Sequence, residues 1–198
     1  MKKINLIILF LIATTSSRLV AQHSMFIGQY SVGFPTADLN KYISHTSWRG
    51  ATLEYKAMLE EGIGVGLQVG WNAWYEEKRY DTYTIGQQSL SGHQWRYSST
   101  VPVLATLDYY LKPGERANPF VGIGIGTMYS ETDLDMGIWT SKIDTWQLAF
   151  QPEVGVILET SPGTGLIISA KYYASVQNQE LKQNIGYFAL NVGFEWGN

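Results

Sequence analysis

Residues 186–196, close to the end of the chain, limit the fold more than any other stretch. From Phe188 onward every second residue is large and apolar: Phe188, Leu190, Val192, Phe194 and Trp196. Between them stand Ala189, Asn191, Gly193 and Glu195, which are small or polar. A period of two sends the sets to opposite faces of a β-strand. One strand with a wholly apolar face cannot stand alone, so the rest of the chain should supply its neighbours.

Seven further stretches alternate in the same way. In 26–34 one face holds Phe26, Tyr30, Val32 and Phe34, and in 48–58 it holds Ala51, Leu53, Tyr55 and Ala57. From residue 63 the apolar set is Ile63, Val65, Leu67, Val69 and Trp71; in 95–111 it is Val101, Val103, Ala105, Leu107 and Tyr109. Residues 119–130 align Val121, Ile123 and Ile125, residues 145–158 Leu148, Phe150, Val154 and Val156, and residues 165–175 Leu166, Ile168, Ala170 and Tyr172. Tight turns are expected at 59–62, 112–115 and 161–164, the last two carrying Pro-Gly. Long polar loops are expected at 35–47, 76–94, 131–144 and 176–184, with no helix longer than a turn and no second domain. Eight strands joined alternately by long loops and short turns predict an all-β, eight-stranded antiparallel up-and-down barrel that spans a membrane.

A soluble barrel alternates too, with its apolar face inward. Three features turn this one inside out. The apolar face carries no Asp, Glu, Lys or Arg, and a Lys or Arg near a bilayer midplane costs roughly 2–4 kcal/mol. The opposite face is rich in glycine (Gly64, Gly66, Gly70, Gly122, Gly124, Gly126, Gly155, Gly193), which suits a narrow lumen. Aromatic residues gather at strand ends on the apolar face: Trp71, Tyr75, Tyr129 and Trp146 at the loop end, Tyr55, Tyr109, Phe194 and Trp196 at the turn end. Two interfacial girdles require that placement.

Residues 1–21 read as a secretory signal peptide: Lys2 and Lys3, a short apolar run, and Leu19-Val20-Ala21 before Gln22. The remaining chain, 22–198, would form one barrel domain of 177 residues with a net charge near −6 and no cysteine. That composition excludes disulfide scaffolds and thiol chemistry, and without a basic patch it excludes nucleic acid as a partner.

Gly33-Phe34-Pro35-Thr36-Ala37-Asp38-Leu39, Arg49-Gly50, Pro119-Phe120-Val121-Gly122-Ile123-Gly124 and the Phe-x-Trp ending resemble the small outer-membrane β-barrel domain proteins of Gram-negative bacteria. The architecture is similar to the OmpA/OmpX type. The resemblance covers the whole of 22–198 and speaks to fold, since its members range from adhesins to structural anchors. It departs at the end, where Gly197-Asn198 follow the terminal aromatic. It implies an outer-membrane location and contacts with membrane lipid and lipopolysaccharide. It also implies dealings with the barrel-insertion machinery and periplasmic chaperones, an extracellular ligand met through the loops, and no cofactor.

The inward set includes Glu54, Lys56, Asp108, Glu153, Lys171 and Glu195, surrounded by Gln68, Asn72, Gln151, Ser169, Tyr173 and Asn191. Buried charges must be paired, so a salt-bridged plug with a Glu153–Lys171 pair is expected; the alternative is a narrow gated ion path. His45-Thr46-Ser47 raises a hydrolase reading like that of lipid A deacylases, but no third group to orient the base is evident. Residues 131–137 resemble a fragment of a calcium loop and lack the closing bidentate Glu, so no metal site is expected. Trp74, Tyr75, Tyr80 and Tyr83 in and beside the 76–94 loop are candidates for surface contact, the first two also for membrane anchoring. Pro152 falls inside a strand, where a bulge or a lost hydrogen bond must follow. The expected function is structural or surface interaction without enzyme activity. The alternatives are a small pore or passage for small or apolar molecules, and a lipid A-modifying enzyme.

Overall fold

The computed structural model describes residues 23–60, 62–85, 88–137, 139–176 and 184–197; the expected signal segment lies outside them. Among these residues eight strands and one short helix follow in the order β1 (His23–Thr36), α1 (Ala37–Tyr42), β2 (Arg49–Glu60), β3 (Ile63–Ile85), β4 (Gln88–Tyr110), β5 (Ala117–Asp135), β6 (Thr140–Ser161), β7 (Thr164–Ser175) and β8 (Ile185–Gly197). Each strand pairs antiparallel with its sequence neighbour, and β8 returns to β1 from Met25↔Gly197 to Thr36↔Gly186, closing the ring. Closure leaves the ring without an edge, which is what a sheet needs to sit in lipid.

The burial pattern is inverted relative to a soluble protein. On the outside Phe26, Leu53, Leu67, Ile123, Val154 and Phe194 are between 55 % and 69 % exposed, while Glu54, Lys56, Gln68, Asp108, Gln151, Glu153 and Lys171 are buried within. An apolar belt running around the whole wall far exceeds any patch a water-soluble monomer tolerates. The chain is a transmembrane barrel. Unheated and boiled samples should therefore migrate differently on an SDS gel, because the fully paired ring resists the detergent until it is melted; identical migration would contradict the closed wall.

Three expectations are corrected. Within 76–94, residues 76–85 and 88–94 are strand rather than loop. β3 and β4 continue as a hairpin to Ile85↔Gln88, so they span 23 residues each, against 12–14 for β1, β2, β7 and β8. From Arg79 on β3, and up to His93 on β4, neither face is buried, so the alternation that marks a strand fades. Cross-strand pairs hold the ladder instead, among them the Thr82–Ser91 hydroxyls 2.8 Å apart, Tyr75–Tyr97 and Tyr80–His93. Most of 131–144 is strand for the same reason, with β5 and β6 paired out to Asp135↔Thr140. The 35–47 segment holds a helix of six residues, more than a turn.

Pro152 produces no bulge. The β6–β7 ladder runs Phe150↔Ala174 and resumes at Glu153↔Lys171 in the same register, so pairing lapses beside the proline and nothing shifts. Pro102, which the strand reading passed over, does the same on β4: pairing with β3 lapses between Val69↔Val103 and Asn72↔Thr100. Opposite it sits Gly70, where a Cβ would come within 3.0 Å of the Pro102 ring.

Candidate functional site

Alternation along every strand aims the inward residues at one axis, and they stack in layers. Nearest the short turns Met25, Ile27, Tyr110, Phe120, Ile157 and Ile167 form an apolar layer with Met58 against it. The middle layer is charged. Near the long loops Trp74, Leu104, Met128, Ala149, Tyr173, Tyr187 and Ala189 form a second apolar layer, into which α1 and the turn after it insert Leu39 and Ile43.

Five of the six inward ionisable residues meet in the middle layer. Lys56 Nζ lies 3.0 Å from Glu54 Oε2 and 2.9 Å from Asp108 Oδ2, and 5.2 Å from the centre of the Phe120 ring. Lys171 Nζ donates to Glu54 Oε1 and, at 2.9 Å, to Gln68 Oε1, and stands 3.4 Å from Glu153 Oε1. Glu54 therefore bridges two ammonium groups, a role that alternation alone did not single out. The Glu153–Lys171 contact is a cross-strand pair of the β6–β7 ladder. Gln151 Nε2 donates to Glu153 Oε2 at 3.2 Å, and Gln68 Nε2 to Tyr173 Oη at 2.7 Å. Glu195, the sixth residue, is half-buried at the turn end, apart from this group. Of the surrounding polar set, Ser169 accepts from Gln29 Nε2, while Asn72 and Asn191 are buried further round the wall.

The layer depends on glycine where the wall must come close. At Gly122 a Cβ would collide with Asp108 Oδ1. Gly122→Val should push Asp108 off Lys56 and destabilise the barrel by about 1–3 kcal/mol. Chemical unfolding in detergent micelles checks this, and an unchanged midpoint would show that Asp108 has room to move.

Trp74 corrects another expectation. It is not a surface or interfacial residue: it is 2 % exposed, donates Nε1–H to the Gly33 carbonyl, and meets Tyr187 edge-on at 4.8 Å. Tyr187 stacks on Tyr173 at 4.6 Å. The girdle candidates Tyr55, Trp71, Tyr75, Tyr109, Trp146, Phe194 and Trp196 are all more than 40 % exposed on the outer wall, with Tyr129 packed on Trp146.

The long-loop mouth is stoppered. Arg96 donates Nη1 to the Tyr42 carbonyl at 2.7 Å and Nε to Gln94 Oε1 at 2.7 Å, and lies over the Tyr42 ring. Tyr42 Oη donates to the Asp133 carbonyl, and burial pushes this phenol up to about 12. The Ser44 backbone N–H donates to Glu76 Oε2 at 2.6 Å. The Lys41 ammonium and the Asn184 N–H hold Asp38 below the usual carboxylate range. Ser47 Oγ donates to the Ala73 carbonyl and accepts from the Arg49 N–H. Its hydroxyl is thus taken up by the backbone, while His45 is exposed. Among the described residues no group of His, Asp and Glu is arranged to hold a metal ion, residues 131–137 included.

No family model matches the chain, and no curated protein matches it in sequence. Solved structures do match. The chain is similar to a major outer membrane protein from Thermus thermophilus, at 13 % identity over 89 % of this chain and 99 % of that one, TM-score 0.58. It is similar to Neisserial surface protein A, at 12 % identity over 88 % and 95 %, TM-score 0.56. A third match is Ail, the attachment invasion locus protein of Yersinia pestis, in complex with the heparin analogue sucrose octasulfate, at 14 % identity over 88 % and 97 %, TM-score 0.54. At these identities the likeness is one of fold. Together with the apolar belt and polar interior, it makes this chain an eight-stranded outer-membrane barrel.

Proposed function

Starting from an eight-stranded outer-membrane barrel, we propose that the protein is a surface-interaction module, non-enzymatic, whose working part is the wall of β3–β6 that stands above the membrane. The observation that carries this reading is the asymmetry of strand length: β3–β6 span 19–23 residues, about twice the 9–11 that cross a bilayer. The surplus forms a four-stranded sheet on one side of the mouth. Its outward face shows Tyr80, 67 % exposed, His93 stacked on Trp95 with ring centres 5.9 Å apart, and Tyr97. Past Ala73, β3 has its ladder with β4 alone. Exposed aromatic rings and an extended strand together suit a protein ligand, through face contacts and strand addition.

The test is to replace residues 78–94 by Asn-Gly, rejoining the hairpin at the Glu77↔Trp95 pair. The trimmed barrel should remain heat-modifiable in the outer-membrane fraction, while cells displaying it lose adherence to wells coated with extracellular-matrix protein. Equal adherence of full and trimmed chains would sink the reading.

The pore reading fits the interior less well. A charged layer between two apolar layers, with a stoppered mouth, leaves ions no continuous wet path, and planar-bilayer recordings should show no conductance steps. The lipid A-modifying reading has the same difficulty at Ser47, whose hydroxyl is bound to backbone. The mass spectrum of lipid A should be unchanged when the gene is removed.

A further inference from the structure

At the turn end of the barrel lies a cavity of about 230 Å³ that the surface reading leaves unused. Met25, Met58 and Ile157 wall it, Glu195 and Glu159 supply carboxylates, and Tyr110 forms part of its lining. Two polar atoms sealed behind its wall are orphaned. Tyr110 is 2 % exposed and its Oη has no hydrogen-bond partner; Glu195 Oε2 is likewise buried without one.

The charge balance there is one-sided. Glu115 at the rim is already paired with Lys112 at 3.0 Å, and Lys56, beneath the cavity, is committed to Glu54 and Asp108. No Lys or Arg among the described residues lines the cavity; Glu195 feels the Lys56 ammonium beneath it, which Glu54 and Asp108 already share, and Glu159 faces the cavity from its exposed rim. A phenol oxygen, two carboxylates and thioether walls accept hydrogen bonds and polarisable alkyl groups, and they repel anions. The volume is below the roughly 300–1,000 Å³ of sites for drug-sized ligands. It suits a short chain.

We propose that this mouth is a binding site for a primary alkylammonium group. The ammonium sits between the Glu195 and Glu159 carboxylates in front of Tyr110, and its methylene stem lies along Met25, Met58 and Ile157. The group can come from a free periplasmic amine or from a lysine side chain of a periplasmic polypeptide. The site lies at the opposite end of the barrel from the projecting sheet, so its fate is independent of the surface-interaction reading.

The experiment uses the full barrel in phosphatidylcholine nanodiscs with ¹³C-labelled methionine methyls. The probes are n-butylamine, N-acetyl-lysine methylamide and, as the uncharged control, n-butanol. Saturable shifts of Met25 and Met58 are expected with the amines and not with butanol, while Met128, in the far apolar layer, stays still. Binding of both amines admits a lysine side chain; binding of butylamine alone restricts the site to free amines. Glu195→Gln should weaken binding tenfold or more, and the exposed Glu159→Gln, which leaves the wall intact, at least threefold. The proposal is overturned by equal shifts with butanol, by no saturable shift at Met25 and Met58, or by unchanged affinity in Glu159→Gln together with any folded Glu195→Gln.

Discussion

Lys171→Met is expected to cost the barrel about 3–5 kcal/mol, the usual penalty for stripping one partner from a buried ion pair. Lys171 is 0 % exposed and its ammonium serves Glu54, Gln68 and Glu153 together. Without it Glu153 keeps only the Gln151 amide, and Glu54 must share Lys56 with Asp108. The methionine fills much of the volume, so the loss reports charge rather than a cavity. Denaturant unfolding in detergent micelles, followed by tryptophan fluorescence, measures it. The double variant Lys171→Met, Glu153→Leu should recover part of the loss, since it removes a stranded carboxylate along with its partner. A single variant within about 1 kcal/mol of the parent would mean that water reaches the layer and solvates what is left.

Ile125→Arg is expected to cost about 2–4 kcal/mol, because it places a guanidinium on the lipid face near the bilayer midplane. Ile125 is 54 % exposed, stands between Ala105 and Phe150 on the neighbouring strands, and lies four residues from the Tyr129 girdle position. The control is Thr82→Arg on the exposed projecting hairpin, where the charge stays in water and loss of the Ser91 hydroxyl partner should cost no more than about 1 kcal/mol. Lipid-refolded samples show the contrast directly: the first variant loses clearly more stability than the second. If both behaved alike, Ile125 would not be facing hydrocarbon.

The membrane-embedded half of this molecule is legible in the residues, because there the two faces of each strand meet opposite solvents. Leu53, Leu67 and Val192 face lipid while Glu54, Gln68 and Asn191 face the axis, and hydrophobicity alone separates them. Where that contrast ends, so does the signal. Thr82 and Ser91 are paired strand residues with water on either side, and in the sequence they look like loop. Trp74 misleads for a related reason. A large aromatic at the rim suggests the girdle, but its parity along β3 matches Asn72 and Glu76 rather than Trp71 and Tyr75, and parity decides. The inward charges were identifiable one by one. Their partners were not, because strand alternation says which residues share the axis and nothing about height along it. Height is set by the stagger between strands, and that places Lys171 between Glu54 and Glu153, with Glu195 well below. The Tyr110 cavity was out of reach for the same reason, being assembled from turns and ends of most of the strands.

The two lapses in the wall sit symmetrically about one piece of chain. Pro102 interrupts β4 on its β3 side and Pro152 interrupts β6 on its β7 side, while the ladders within β4–β5–β6 run unbroken. Before closure, that three-stranded piece would present both of its outer borders to anything extended nearby, including other copies of itself. A proline in the middle of each border cannot donate to an incoming strand and crowds its approach. The same residues that cost the finished ring a few hydrogen bonds thus blunt the half-built sheet before the ring closes. They leave β3 and β7, which arrive in register with the rest of the wall around them, as the partners that can complete it.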